Sequence, residues 1–425
     1  MKKIVILGAG AGGTMSANHL RKRLNPREWS ITVIDRNALH YYQPGFLFLP
    51  FRFKRYQELP DVSRPIRSLL AQGVDFVSSE ITEVDAKNNV VRTKAGDFHY
   101  DWLVSSLGCR IISDEIDGMK EGYEKNVFDF YTPDGAIKLQ RALGNFKEGK
   151  LVFNIASMPI KCPVAPIEFV FLADYYFHTK GIRNKVEIEI VTPLAGAFTK
   201  PIATTIFTEI ARSKGIKITP NFELGSVDHV NKKIKSYTKQ EVDYDLLVAI
   251  PPTEGAAVIE DSGLGNGAGW IRTDKHTLKA VGYNNIYSIG DGTDLPTSKA
   301  GSVAHFESEI MTENLLSEIN GKEPKAKFDG HSNCFIESGF DKALLIDFNY
   351  KVEPLPGTFP LPVIGPFSLL KETKVNHLGK CAFRYAYWNQ LLPCKLPGEP
   401  IMTNHCSPRG KKVSMLKEGK ALFGV

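Results

Sequence analysis

The sequence predicts an α/β fold: two Rossmann-like dinucleotide-binding-type domains and a C-terminal amphipathic, membrane-associating region. Three observations predict it. A glycine fingerprint follows an apolar strand at the N-terminus. A second strand–turn–helix pattern starts at Leu151 but lacks glycines. After Tyr350 the composition turns rich in Pro, aromatics and Leu. The expected division is 1–110 with 253–350 as one discontinuous nucleotide domain, 111–252 as a second, and 351–425 as the C-terminal region.

A chain of 425 residues is long enough for two or three domains with real cores. No apolar run reaches the roughly 18 residues needed to cross a bilayer. The start "MKKIVILGAGAGG" imitates a signal peptide, but its apolar run, Ile4–Leu7, ends at glycines. That is short of the about 7–15 residues of a signal core, so it reads as a first strand with no signal peptide visible. The net charge of +6 suits an anionic cofactor or an anionic membrane face. No block of five Lys/Arg occurs, and nucleic acid is not an expected partner. Six cysteines in this length do not form a secreted disulfide scaffold, so a disulfide here is more readily catalytic than structural.

The first element is "KKIVILGAGAGGTMSANHLRKRL", which carries Gly8-x-Gly10-x-x-Gly13 between a strand, Lys3–Leu7, and a helix reaching Leu24. Glycines there permit a tight turn and let backbone N–H groups approach a pyrophosphate at the helix N-terminus. The next strand, "SITVID", ends in Asp35, 22 residues beyond Gly13, where an acid accepts hydrogen bonds from a ribose. Much later, "NNIYSIGDGTDLP" delivers Gly290 and Asp291 at a strand end. "YDWLVSSLGC", with Gly108, and "VDYDLLVAIPP" read as exits from the first and second domains. This order resembles flavoproteins with two dinucleotide domains, and the resemblance implies FAD, with Asp291 toward its ribityl and phosphate.

The second domain departs from the pattern. After the strand Leu151–Ile155 come Ala156-Ser157-Met158-Pro159-Ile160-Lys161-Cys162-Pro163, with no glycine. Proline also lacks the N–H that a phosphate site would use. The following strand, "VEIEIVTP", ends without a ribose-binding acid. The expectation is a domain that does not take NAD(P)H, so that electrons enter from another donor.

Cys162 offers one. It precedes a helix expected from Ile167, where the positive dipole end and Lys161 lower a thiol's pKa. Glu168, six residues on, reads either as a helix-stabilising acid or as a proton acceptor. Cys334, at the start of the apolar segment "CFIESGFDKALLIDFNY" beyond the helix His305–Ile319, is the candidate second thiol. The alternative for both cysteines is a small buried hydrophobe.

The segments "PIKCPVAPIEFVFLADYY", "YDLLVAIPP", "IYSIGDGTDLPTSKAGSVAHFESEIMTENL" and "CFIESGFDKALLIDFNY" resemble the sulfide:quinone oxidoreductase family and the related flavoprotein subunit of flavocytochrome c sulfide dehydrogenase. The resemblance spans about residues 3–395. It implies that sulfide attacks a Cys162–Cys334 disulfide or sulfur-bridged pair, and that two electrons pass to FAD and on to a membrane quinone. Cys162 is the expected flavin-side thiol. Lys299 and Gly301 match the segment by the flavin's pyrimidine end and the quinone pocket; the alternative for Lys299 is a solvated surface lysine. Cys109 matches the area where some members use a third cysteine. The resemblance further implies a peripheral or monotopic membrane enzyme, acting as a homo-oligomer. Two other readings remain: a sulfide dehydrogenase passing electrons to a cytochrome partner, and a type II NADH:quinone oxidoreductase-like enzyme.

In "HLGKCAFRYAYWNQLL", Phe383, Tyr387 and Leu391 form one helical stripe with Lys380 and Arg384 beside it. The family resemblance implies an interfacial helix covering the quinone site; the alternative is a lid on the core. His377, Cys381, Cys394, His405 and Cys406 do not reproduce paired zinc-ligand spacing, and no metal is expected. The tail "SPRGKKVSMLKEGKALFGV" carries spaced basic residues suited to acidic lipid or to solvent.

Overall fold

The computed structural model describes residues 1–360, 365–395 and 405–413. The first sheet is built from β1 (Lys2–Leu7), β2 (Trp29–Asp35), β3 (Val74–Ser78) and β4 (Trp102–Ser105). Helix α1 (Ala11–Arg23) crosses from β1 to β2. The second sheet holds β5 (Val127–Phe128), β6 (Gly149–Ile155), β7 (Val186–Val191), β8 (Ile216–Thr219) and β9 (Leu246–Ile250). Helix α2 (Ala165–Thr179) follows β6. The chain then returns β10 (Ile286–Ser288) to the first sheet beside β4.

Strand order is β10-β4-β1-β2-β3 in the first sheet and β5-β9-β6-β7-β8 in the second. Every pair in both is parallel. The two sheets thus repeat one plan: a central strand that binds its successor on one side and the exit strand on the other. Parallel strands must be covered on both faces, which is why Ile4, Ile6, Phe153, Val152 and Val248 are all buried although successive side chains alternate in direction. Each unit also carries a three-stranded antiparallel meander, Ile81–His99 in one and Leu224–Asp243 in the other.

Helix α3 (Gly301–Ile319) packs along α1. It begins four residues before the expected His305, because the backbone turns helical at Gly301, which tolerates the bare N-terminus. Helix α2 also starts early, at Ala165, since Pro166 fits the first turn where its missing N–H is no loss. Beyond α3 lies a four-stranded sheet with β11 (Ser332–Gly339) and β12 (Lys342–Phe348), antiparallel to each other. Helix α4 (Lys374–Ala386) packs on that sheet. Thr373 caps it, accepting the Asn376 N–H at 3.1 Å.

Of the two readings of the stripe that runs through α4 into the turn after it, the lid on the core is the one seen. Tyr387 and Leu391 are buried in the core cluster, Phe383 packs against it, and Tyr387 Oη bonds His40 Nε2 at 2.6 Å. The apolar residues that α4 exposes are Val375, Leu378 and Tyr385. Among the described residues no helix is long and apolar enough to cross a membrane. Most of the basic tail lies outside the described residues.

Candidate functional site

The nucleotide cradle sits at the carboxyl end of β1. A Cβ on Gly13 would stand 1.9 Å from the Gly8 carbonyl oxygen, so only glycine allows α1 to approach the turn this closely. Gly8 is also at φ +89, where L side chains are strained. Gly10, by contrast, faces open space, and no side chain caps α1. The first N–H groups of a helix lack internal partners and favour an anion. Asp35 braces the turn: its carboxylate accepts the Ala9 N–H and the Asn37 N–H, each at 2.8 Å. A carboxylate offers about four acceptor positions, leaving room for a ribose hydroxyl.

Gly108 and the Gly290–Gly292 turn meet at the ends of β4 and β10; a Cβ on Gly292 would lie 3.1 Å from the Gly108 oxygen. The Gly290 N–H donates to Glu307 Oε2 at 2.5 Å, which fixes the turn on α3. Burial pushes the Asp291 carboxyl up, against the pull of Lys299 and Lys161. Lys299 is a buried residue, 7% exposed. Its Nζ donates to the Asp291 carbonyl at 3.0 Å and the Thr293 carbonyl at 2.8 Å and stands 3.9 Å from the Trp270 ring centroid. Burial lowers its pKa. The solvated alternative for Lys299 therefore falls. Gly301, next to it, opens α3 without a side-chain cap. Two bare helix starts, a glycine turn that only bare backbone satisfies, and an acid at the end of β2 fit the two phosphates and ribose of an FAD.

The thiols lie beside this cradle. Cys162 occupies the turn from β6 to α2 at φ +48, an uncommon conformation for a non-glycine residue. Its N–H donates to the Lys299 carbonyl at 2.6 Å, and its carbonyl accepts the Ala165 N–H at 2.8 Å. The second unit's turn is thereby stitched to the first unit's lysine. Cys334 sits on β11 opposite Ile346, and Ser302 Oγ ties that strand to α3 through the Asn333 carbonyl at 2.7 Å. Both cysteines are free thiols, and each is the first influence on the other's ionisation.

The charge on the pair is opposite to the sequence expectation. The hydrogen bond to Cys334, then burial, raises the Cys162 thiol well above its ordinary value. Cys334 is lowered, first by its pairing with Cys162 and then, against burial, by Lys380. The start of α2 does not rescue Cys162 as a thiolate.

Lys380 is the residue that sequence reasoning missed. It reaches in from α4, and its Nζ meets Glu168 Oε1 at 2.8 Å and the Phe335 carbonyl at 2.7 Å. Burial works against its charge, but Glu168 and the two thiols outweigh that and hold it above the usual lysine value. Glu168, 2% exposed, is raised by burial against Lys380, and also accepts the Glu337 N–H at 2.8 Å. A lysine one turn from Phe383 on a stripe that is otherwise apolar was the available signal.

Cys109, like Cys162, lies within electrostatic reach of Tyr131. Burial pushes Cys109 up to about 12, and its charged neighbours are Asp291, Lys161 and Lys299. Cys394 is buried and bonds the Met15 carbonyl. His331, Asp347 and Cys406 offer ligand atoms within 4.8 Å of one another. Lys411 Nζ lies 2.6 Å from Asp347 and 2.9 Å from Cys406, so an ammonium already supplies the cation there.

At the end of β6, a cavity of about 510 Å³ is lined by Glu115, Ser157, Met158, Glu223 and Tyr237 among others, with no glycine in its wall. Two carboxylates face the place where a nicotinamide nucleotide's phosphates would need N–H donors.

The family model described as pyridine nucleotide-disulphide oxidoreductase matches residues 2–147. Mitochondrial sulfide:quinone oxidoreductase of Mus musculus is 28% identical over 399 residues, covering 92% of this chain and 86% of that protein. Its counterpart in Dictyostelium discoideum is 29% identical over 411 residues, covering 95% and 88%. The chain is similar to these sulfide:quinone oxidoreductases over nearly its whole length. The crystal structure of the sulfide:quinone oxidoreductase from Aquifex aeolicus shares its fold at TM-score 0.79 and 20% identity, covering 100% of this chain and 95% of that one. The likeness to the sulfide:quinone oxidoreductases runs through both nucleotide units, the thiol-bearing strand and α4.

Proposed function

We propose that the chain oxidises sulfide through Cys162 and Cys334 and passes the electrons by FAD to a membrane quinone. The observation that carries this reading is the interacting pair of free thiols beside the nucleotide cradle, flanked by a buried Glu168–Lys380 pair. In the oxidised protein the two sulfurs are bridged. Hydrosulfide attacks the Cys162 sulfur, the Cys162–Cys334 bond breaks, Cys162 keeps a persulfide and Cys334 leaves as thiolate. The leaving order follows the lowered pKa of Cys334, since a more acidic thiol departs faster. Lys380 stabilises that thiolate, and Glu168, held by Lys380 and the Glu337 N–H, accepts the proton of incoming hydrogen sulfide. Bound FAD supplies a two-electron acceptor that quinone reoxidises.

Val375, Leu378 and Tyr385, exposed on α4, together with the net charge of +6, support docking on an anionic membrane surface. The test is sulfide-dependent reduction of a soluble ubiquinone analogue by the FAD-loaded protein and by Cys162→Ser and Cys334→Ser. Each variant is expected to lose about 100-fold or more of the rate while retaining yellow flavin. Full activity in either one contradicts the proposal.

A further inference from the structure

A second sulfur–imidazole–carboxylate arrangement lies on the surface, outside the thiol pair. Cys381, an exposed residue of α4, has its Sγ 3.6 Å from His377 Nε2, one helical turn earlier. His377 is 4% exposed on its side chain, and its Nδ1 lies 2.7 Å from Glu337 Oε2. Glu337 is fully buried on β11, and its Oε1 has no hydrogen-bond partner among the described residues. A carboxylate only accepts, so Nδ1 carries the proton, and the Nε2 lone pair faces both Cys381 Sγ and Lys54 Nζ. Lys54 Nζ touches the same Nε2 and stands 3.9 Å from the Cys381 sulfur. Its side chain is 42% exposed, and it pairs with Asp341 at 3.3 Å. The geometry is that of a nucleophile, a base and a group that orients the base, with an ammonium at the rim.

We propose that Cys381 is a second nucleophile that takes sulfane sulfur from small anionic persulfides and polysulfides, with His377 as its base and Glu337 positioning His377. Burial, with Glu337 and Asp341, raises the Cys381 thiol while Lys54 and Lys380 oppose them, and Tyr56 is a further neighbour. The thiol therefore needs a base and does not ionise unaided. In the reaction, Lys54 turns from Nε2 to the incoming anion, His377 Nε2 takes the Cys381 proton, and Sγ attacks the protonated sulfur of hydrogen disulfide ion, HSS⁻. A new Sγ–S bond forms and the S–S bond of HSS⁻ breaks. Cys381 becomes a persulfide, and the departing sulfur takes the proton from His377 and leaves as HS⁻. Sulfur, hydrogen and charge balance, and no external oxidant is consumed. Lys54 selects the anionic donor. That polysulfide arises at this protein rests on the sulfide-oxidising reading; the thiol chemistry of Cys381 does not.

The probe is the intact flavin-loaded protein treated with sodium disulfide, with persulfide at Cys381 read by tag-switch labelling and mass spectrometry. In parallel, alkylation of Cys381 by iodoacetamide and by iodoacetate is followed against pH. Wild-type protein is expected to load Cys381, and His377→Asn to load it about 100-fold more slowly. Glu337→Gln is expected to fall between the two. Lys54→Met is expected to lose the preference for iodoacetate over iodoacetamide. Cys381→Ser is expected to lose the label yet keep sulfide-dependent flavin bleaching. Flavin content and circular dichroism establish that each variant folds. Equal loading and equal alkylation in wild-type and His377→Asn protein would overturn the proposal, leaving Cys381 an ordinary exposed thiol. If sulfide fails to bleach the flavin but sodium disulfide still loads Cys381 through His377, the surface site stands and the sulfide-oxidising reading alone fails.

Discussion

Lys380 serves Glu168 and both thiols at once, with one oxygen of Glu168 at 2.8 Å and its charge felt by Cys334 and Cys162. Replacing it with methionine keeps most of the stem but leaves a buried carboxyl without its cation. Lys380→Met is expected to move the alkylation midpoint of Cys334 to higher pH and to slow sulfide-dependent flavin bleaching about tenfold or more. An unchanged midpoint would remove Lys380 from the thiol chemistry. Glu307 provides a second residue-scale test. Burial pushes its carboxyl up to about 8, above an ordinary glutamate, with Asp291 adding to the shift. The folded state then binds a proton that the unfolded state has released. Its contribution is present below about pH 4.3 and is lost as pH rises to about 8. Glu307→Gln, which still accepts the Gly290 N–H, is expected to melt a few degrees higher than wild type at pH 8.5 and alike at pH 4.5. Cysteines and glycines were legible in the sequence because few side chains do their work. The roles of Lys380, Glu307 and Glu337 were not, because a lone charge on an amphipathic helix or strand has no sequence mark that separates a buried partner from a solvated one.

The elements were more legible than their faces. The strands Gly149–Ile155 and Ile286–Ser288 and the helix after Cys162 fall where apolar runs and turn residues put them, with ends shifted by a few residues. The α4 stripe illustrates the limit. Helical spacing identifies Phe383, Tyr387 and Leu391 as one row, but spacing alone does not say whether core or membrane covers it. Packing decided: Tyr387 bonds His40 and stacks near Tyr42, so that row is interior. The membrane docking proposed above therefore uses the opposite row, Val375, Leu378 and Tyr385. Leu378→Ser combined with Tyr385→Ser is expected to weaken binding to anionic liposomes about tenfold while leaving sulfide-dependent bleaching in detergent-free solution unchanged. Equal liposome binding would place the membrane contact elsewhere.

At the scale of the whole molecule, one plan is used twice for different ends. The first sheet ends in a glycine turn and the second, with the same strand order, ends in Met158, Pro159 and a thiol. The repeat was legible because parallel strands are near-continuous apolar runs; the two antiparallel meanders, short and half exposed, left no comparable trace. Acid sensitivity is also a property of the whole. Burial lowers His19 and His40 to about 4 and His305 to about 3. Each is neutral in the fold and protonated in the unfolded chain below about pH 6.5, so stability falls as pH drops from there. The raised carboxyls of Glu307, Glu168, Asp291 and Asp129 work in the opposite sense, so the histidine effect is read as a difference: His305→Gln is expected to lose less melting temperature than wild type between pH 6.5 and pH 5. Equal losses would mean that the His305 imidazole is not desolvated. The central claim is that the second unit exchanged a nucleotide donor for a sulfur donor. Anaerobic mixing of the yellow protein with sulfide or with NADH, followed at the flavin band, tests it most directly. Sulfide is expected to bleach the flavin, a quinone to restore its colour, and NADH to leave it unchanged. Bleaching by NADH and not by sulfide would contradict the account.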